Sequence, residues 1–222
     1  MSMERTVEIS CPVCGKKGLY QVWDSINTGI ERAKEKAISG ELFEFKCDKC
    51  GNISRFSQKF LFHDMTHGYM IQHTSTEAEF NEAVNVFKRE CEEINSEGTF
   101  SDLIKNYRFR VVRSLNEFRE KVCIFDAGLD DRVIEICKVY ELSKMAEERP
   151  EVENIESLFY IDESGSKMLQ VMLDDNETGC MDLLDQLYDA IKEKYAAYLN
   201  GPKENDILVD LDYAMNIVHK AS

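Results

Sequence analysis

The chain has 222 residues and 43% hydrophobic side chains, too many for a disordered polypeptide and ordinary for a globular one. Its formal net charge of −15 is uneven, +1 over residues 1–75 and −16 over residues 76–222, and so acidic a body repels phosphate backbones. No apolar run is long enough to span a bilayer, and the opening MSMERTVEIS lacks the apolar core of a secretory signal; the expectation is a cytoplasmic protein with no membrane contact.

In chain order, the first 75 residues read as short strands around two cysteine pairs. TVEIS (6–10) alternates into CPVCG (11–15), and GLYQVWDSIN (18–27) returns from it. IERAKEKAISG (30–40) puts Ile30, Ala33, Ala37 and Ile38 at helical spacing, with Gly40 as the stop. ELFEFKC (41–47) enters the second pair, CDKCG (47–51); ISRFSQKFLFHD (53–64) leaves it, and YMIQH (69–73) adds a strand. Thr76 and Glu79 form a capping box, and Phe80, Ala83, Val84, Phe87, Cys91 and Ile94 follow at 3.6-residue spacing, predicting a helix over about 77–95. YRFRVV (107–112) reads as a strand. Ser114 and Glu117 open another helix, which Gly128 interrupts and DDRVIEICKVYELSKMAEE (130–148) resumes. Pro150 and PEVENIE mark a break, after which LFYID and KMLQVMLD flank a hairpin loop. CMDLLDQLYDAIKEKYAAYL (180–199) reads as a helix stopped by NGP (200–202), and DILVDLD (206–212) as a final strand before a short helix, YAMNIVHK (213–220).

A Cys-x-x-Cys-Gly turn sets two sulfurs on one side, and its glycine takes the left-handed backbone that closes the turn. Two such turns supply four thiolates, Cys11, Cys14, Cys47 and Cys50, a ligand set for a tetrahedral ion, of which zinc is the usual intracellular case. The 32 residues between the pairs exceed the common gap, and the helix between them takes up the excess. One structural Zn2+ per chain is therefore expected, with iron in a rubredoxin-like site as the alternative for the same ligands. A redox couple needs a single pair where a strand meets a helix N-terminus; two alike pairs between strands argue against it. Cys91, Cys123, Cys137 and Cys180 stand singly among apolar residues and read as small buried thiols. The expected fold class is α+β: an N-terminal zinc-ribbon-like β module with an inserted helix over residues 1–75, a helical segment with one strand over 76–150, and a small α+β segment over 151–222 able to pack with the second as one body.

Asp24 and Asn27 follow the first pair, and His63 and Asp64 the second. A ribbon could gather these four into a polar group that binds a small ligand or assists acid–base chemistry. The plainer reading has Asn27 and Asp64 capping turns and His63 serving a backbone group. His63 and His67 are four apart, but Gly68 and the alternation before it indicate a strand and turn, not a helix face carrying two ligands; His73 reads as the surface of an edge strand. Arg108, Arg110 and Arg113 interleave with aromatic and branched residues, as in a nucleic-acid reader or, more simply, a half-buried strand paired with carboxylates. Neither a dinucleotide fingerprint, a P-loop, a zincin helix nor a nucleophile elbow occurs.

CPVCG, DSINTGIERAKEKAISGELFEFKCDKCG and FLFHDM together resemble, in order and spacing, the CpXC family, and RFRVVRSLNEFREKVCIFDAGLDDRVIE (108–135) is similar to the segment that follows in longer members. Asp48 stands where the family's name implies a second proline; this changes the rigidity of that turn and leaves all four cysteines in place. The resemblance implies a zinc-ribbon-type protein and no reaction. The expected function is that of a zinc-binding intracellular protein acting through protein–protein contacts, nearer to a binding protein than to an enzyme. One alternative is a hydrolase using Asp24, Asn27, His63 and Asp64 beside the zinc. The other is a nucleic-acid-binding ribbon using Lys16, Lys17, Lys46, Lys49, Arg55 and Lys59, which the acidic body disfavours.

Overall fold

Strand alternation on both sides of each cysteine pair has a direct structural consequence: each pair is the tip of a β-hairpin. The computed structural model describes residues 2–29, 32–94, 107–149, 155–163, 165–173, 178–199 and 206–221. The chain divides into two compact units, Met1–Phe118 and Arg119–Ser222, both of mixed α+β structure.

In the first unit β1 (Met3–Ser10) and β2 (Lys17–Asn27) pair antiparallel around the first cysteine turn, with Ser10 opposite Lys17. Helix α1 (Ala33–Ser39) ends at Gly40, whose φ of 84° suits a residue without a Cβ. After a short 3-10 turn, Glu41–Phe43, the strands β3 (Glu44–Lys46) and β4 (Ile53–Arg55) form the second hairpin, with Lys46 opposite Ile53 across the second cysteine turn. Strands β5 (Phe60–Asp64) and β6 (Tyr69–His73), helix α2 (Glu77–Ile94) and β7 (Arg108–Val112) follow. They complete a five-stranded sheet of order β1-β2-β5-β6-β7 in which β2/β5 and β6/β7 run parallel. Alternation puts Phe60 and Phe62 on the covered face, where Phe60 stacks on Phe43 at 4.8 Å and meets Phe118 edge-on at 5.1 Å. The capping box is present: Glu79 N donates to Thr76 Oγ1 and Ser75 N to Glu79 Oε2. A second box starts α3 (Leu115–Asp126), where Glu117 N donates to Ser114 Oγ and Arg113 N to Glu117 Oε2.

The second unit takes in the rest of α3, which Gly128 ends, then α4 (Asp131–Glu148), capped by the Asp130 side chain. Strands β8 (Ile155–Glu163), β9 (Ser166–Leu173) and β10 (Thr178–Asp182) make an antiparallel sheet. Helices α5 (Asp185–Lys194), α6 (Ala196–Leu199) and α7 (Leu211–Lys220) close the unit. The first half of α4, Asp131–Lys138, is buried all round and carries charged groups into the interior.

The two compact units divide after Phe118, and β7 pairs with β6 and so belongs to the first sheet. Several sequence expectations need correction. The 180–199 helix begins only at Asp185; Cys180–Asp182 pair with β9 instead. DILVDLD is not a strand: Ile207 and Val209 are buried in irregular backbone, and Asp210 caps α7 by accepting from Tyr213 N. His73 is fully buried, since β6 lies inside the sheet, not at its edge. Cys91 and Cys137 are buried as expected, but Cys123 is half-buried and Cys180 exposed. The break at Pro150, the start of the first helix at Ile30 and the stop at residues 200–202 lie outside the described residues. Among the described residues no helix is long and apolar enough to cross a membrane.

Candidate metal centre

The two hairpin tips have the same construction. Cys11 N donates to Lys16 O at 2.9 Å and Gly15 N to Cys11 O at 2.9 Å; Cys47 N donates to Asn52 O at 2.8 Å and Gly51 N to Cys47 O at 2.9 Å. Gly15 and Gly51 have φ of 68° and 73°, the left-handed conformation the turns demand. The tips face each other with approximate two-fold symmetry. Cys11 Sγ lies 3.7 Å from Cys50 Sγ, Cys14 Sγ lies 3.6 Å from Cys47 Sγ, and all four sulfurs fall within 4.8 Å of one another. The first cysteine of each tip is buried and packs with Tyr20, Val22 and Phe45; of the second cysteines, Cys14 is half-buried against the same cluster and Cys50 is exposed.

These separations are too long for disulfides, whose sulfurs bond at about 2.05 Å. The two shortest are close to the edge of a tetrahedral site: metal–sulfur bonds of about 2.3 Å give an edge of about 3.8 Å. The electrostatics favour a cation. Backbone N–H groups of Cys50 and Lys49 lower the Cys47 thiol to about 6. The Asn52 N–H pulls Cys50 the same way, but desolvation and the thiols of Cys14, Cys11 and Cys47 outweigh it and push Cys50 up to about 12. Four thiolates so close repel one another, and a metal ion removes that repulsion. The arrangement is compatible with a metal site formed by the four cysteines. Lys16 Nζ reaches Asp48 Oδ2 at 2.7 Å across the two tips.

The four other residues singled out in the sequence divide between the two faces of the sheet. Asn27 and His63 are neighbours in the parallel β2/β5 pairing. Asn27 Oδ1 accepts from Gly29 N, and His63 Nε2 lies 3.4 Å from the Tyr107 hydroxyl. Asp64 points to the covered face, where its Oδ1 accepts from Thr66 N and His67 N and its Oδ2 meets Lys34 Nζ at 2.8 Å and His67 Nδ1 at 3.0 Å. Burial opposes ionisation of Asp64, but Lys34 and His67 outweigh it and hold the carboxyl well below the usual carboxylate range. Asp24 is exposed and takes Arg5 Nε at 3.2 Å; with Arg5, Gln58 and Lys59 it lines an open polar cavity of about 540 Å³ that Asn27, His63 and Asp64 do not line. Sequence reading missed Lys34 and His67 as partners of Asp64; the Asp-x-x-His spacing before Gly68, a turn pattern, was the available signal.

Of the six basic residues considered for nucleic acid, four are engaged by carboxylates: Lys16 by Asp48, Lys17 by Glu8, Arg55 by Glu44 and Lys59 by Glu82. Arg110, from the interleaved strand, is buried, and its Nη1 donates to Phe109 O at 2.8 Å.

A family model described as CpXC protein matches residues 9–138, more than half of the chain and all four cysteines. No curated protein and no solved structure matches.

Proposed function

The chain belongs to the CpXC family, and from that premise we propose that its N-terminal unit is a zinc-stabilised module through which the protein contacts other proteins. One observation carries the reading. The four sulfurs lie within 4.8 Å of one another, two pairs of them at 3.6 and 3.7 Å, so a Zn2+ held by Cys11, Cys14, Cys47 and Cys50 together keeps no open position for a substrate or a water. Such an ion joins the two hairpins and contributes folding free energy directly. Apolar side chains displayed beside the tips support protein contacts: Val13 is 69% exposed, Leu19 75% and Ile53 54%.

The hydrolase alternative draws no support from Asp24, Asn27, His63 and Asp64 as they stand, because Asn27 and His63 lie on one face of the sheet, Asp64 is buried on the other and Asp24 is taken by Arg5. Nucleic-acid binding draws little from basic residues already paired with carboxylates.

Chelation tests the structural role. Trp23, the single tryptophan, is half-buried on β2 and reports on the hairpin. Withdrawing zinc with a strong chelator is expected to shift its emission and abolish cooperative unfolding of the N-terminal unit, and added zinc to restore both. A zinc-free protein that keeps its Trp23 signal and its cooperative transition would contradict the proposal.

A further inference from the structure

Tyr140 on α4, Lys194 at the end of α5 and Tyr195 just after it form a polar cluster within the C-terminal unit. Lys194 Nζ lies 2.7 Å from the Tyr140 oxygen, and the Tyr140 and Tyr195 oxygens are 2.8 Å apart. An ammonium has no acceptor, so Lys194 donates to Tyr140. Tyr195 is 1% exposed; either hydroxyl of the Tyr140–Tyr195 pair can donate, but once Tyr140 ionises its oxygen can only accept, and Tyr195 donates to it. The ionised Tyr140 oxygen thus receives two hydrogen bonds, one from a cation. Negative charge developing on that oxygen meets donors that are already placed. Burial opposes ionisation of Tyr140, yet Lys194 and Tyr195 outweigh it, and the net shift is downward.

A neighbour provides the contrast. Tyr198 is 41% exposed, but its hydroxyl donates to Lys220 O at 3.1 Å, which commits its proton to a carbonyl and leaves its oxygen without a cation. If exposure decided reactivity, Tyr198 would lead; if hydrogen bonding decides it, Tyr140 does.

We propose that Tyr140 is a nucleophilic acyl-acceptor site for uncharged, activated acyl donors, with Lys194 and Tyr195 as positioning residues that steady its oxygen. The Tyr140 oxygen bonds to the acyl carbon and the bond to the leaving group breaks, its electron pair departing with that group. The phenolic proton passes to solvent, and Lys194 stays protonated throughout. An uncharged donor suits the site better than a phosphoryl donor, because Glu141 and Glu193 are next in sequence to Tyr140 and Lys194.

p-Nitrophenyl acetate is a sufficient probe, with acetylation rates read residue by residue by peptide mass spectrometry of the full chain. Tyr140 is expected to acetylate on the order of ten times faster than Tyr198. Lys194→Met and Tyr195→Phe should bring Tyr140 down to the Tyr198 rate, and Lys194→Arg, which keeps a cationic donor, should preserve most of the excess even if Lys194→Met fails to fold. Circular dichroism identifies variants that fold. A Tyr140 rate no higher than that of Tyr198, an excess that survives Lys194→Met, or an acetyl group on Lys194 in place of Tyr140 would overturn the proposal.

Discussion

Lys16 and Asp48 tie together the tips of the two cysteine hairpins, their Nζ and Oδ2 atoms 2.7 Å apart. Asp48 occupies the position where the first turn has Pro12, so a contact between the tips stands where a stiff residue could have been. The Asp48 carboxylate raises the Lys16 ammonium, and Lys16 in turn lowers Asp48. Both side chains are well exposed, so the pair tightens the site without supporting it. Asp48→Ala is expected to keep its metal stoichiometry and to lose the ion to a chelator about two to three times faster at low ionic strength, a difference that about 1 M salt removes. Stopped-flow chelator assays at the two salt concentrations decide this; a variant that no longer holds metal would give the ion pair a larger role.

The hairpin that carries the first tip is fitted closely to the second. A Cβ at Gly18 would stand 2.9 Å from two atoms of the Phe45 ring, and Phe45 packs with Cys11 and Cys47. Gly18→Ala should therefore destabilise the metal-loaded protein by about 1–3 kcal/mol, and Phe45→Leu in the same chain should recover part of the loss. Denaturant unfolding of wild type, single and double variants gives the comparison, and an additive double variant would contradict it.

Asp64 makes the N-terminal unit sensitive to acid. Its carboxyl is depressed in the folded state, while in the unfolded chain it titrates near about 4. The sign follows: its contribution is present above that unfolded value and is lost as pH falls through the folded one. Asp64→Asn should cost about 1–3 kcal/mol near neutrality, and the gap from wild type should close below about pH 4. Acid would release a bound metal from both proteins alike, so the informative quantity is the difference between them, from denaturant melts across pH. A gap that widens toward acid would refute the assignment.

In the interior of the C-terminal unit the carboxyl groups of Glu120, Asp131 and Glu135 meet the ammonium groups of Lys121 and Lys138. Lys138 Nζ is 2.6 Å from Glu120 Oε1 and 3.1 Å from Glu135 Oε2, while Lys121 Nζ is 3.0 Å from Glu135 Oε1 and 3.2 Å from Asp131 Oδ2. All five side chains are nearly or fully shielded from solvent. Lys138→Met leaves two buried carboxylates without that cation and should cost about 3–5 kcal/mol. Glu120→Gln should cost less, since burial raises the Glu120 carboxyl above its unfolded value. A raised carboxyl stabilises while protonated and loses that contribution as pH rises through its folded value, so the wild-type advantage over Glu120→Gln should shrink as pH rises above the unfolded value. Urea melts of both across a rising pH series test the direction.

Much of the first unit was readable because its signals are local. A Cys-x-x-Cys-Gly turn closes within six residues through its own backbone bonds, and a capping box such as Thr76/Glu79 lies within one helical turn. What escaped depends on partners distant in sequence. His73 is interior because β6 pairs in parallel with β7, with the whole of α2 between them. Cys180–Asp182 become a strand only through β9, and the strand-like run Ile207–Val209 finds no such partner among the described residues. The polar group failed to converge for a simpler reason: His63 and Asp64 are adjacent in one strand, and alternation sends adjacent side chains to opposite faces.

The central claim is that one zinc ion holds the two hairpins together, and metal content tests it most directly. Elemental analysis of protein purified without chelators or a histidine tag, for wild type beside Cys47→Ser and Cys50→Ser, should find about one zinc per wild-type chain. The variants should contain little or none and lose the fold of the N-terminal unit. Metal-free wild type with four free thiols that oxidise reversibly in pairs would contradict the account.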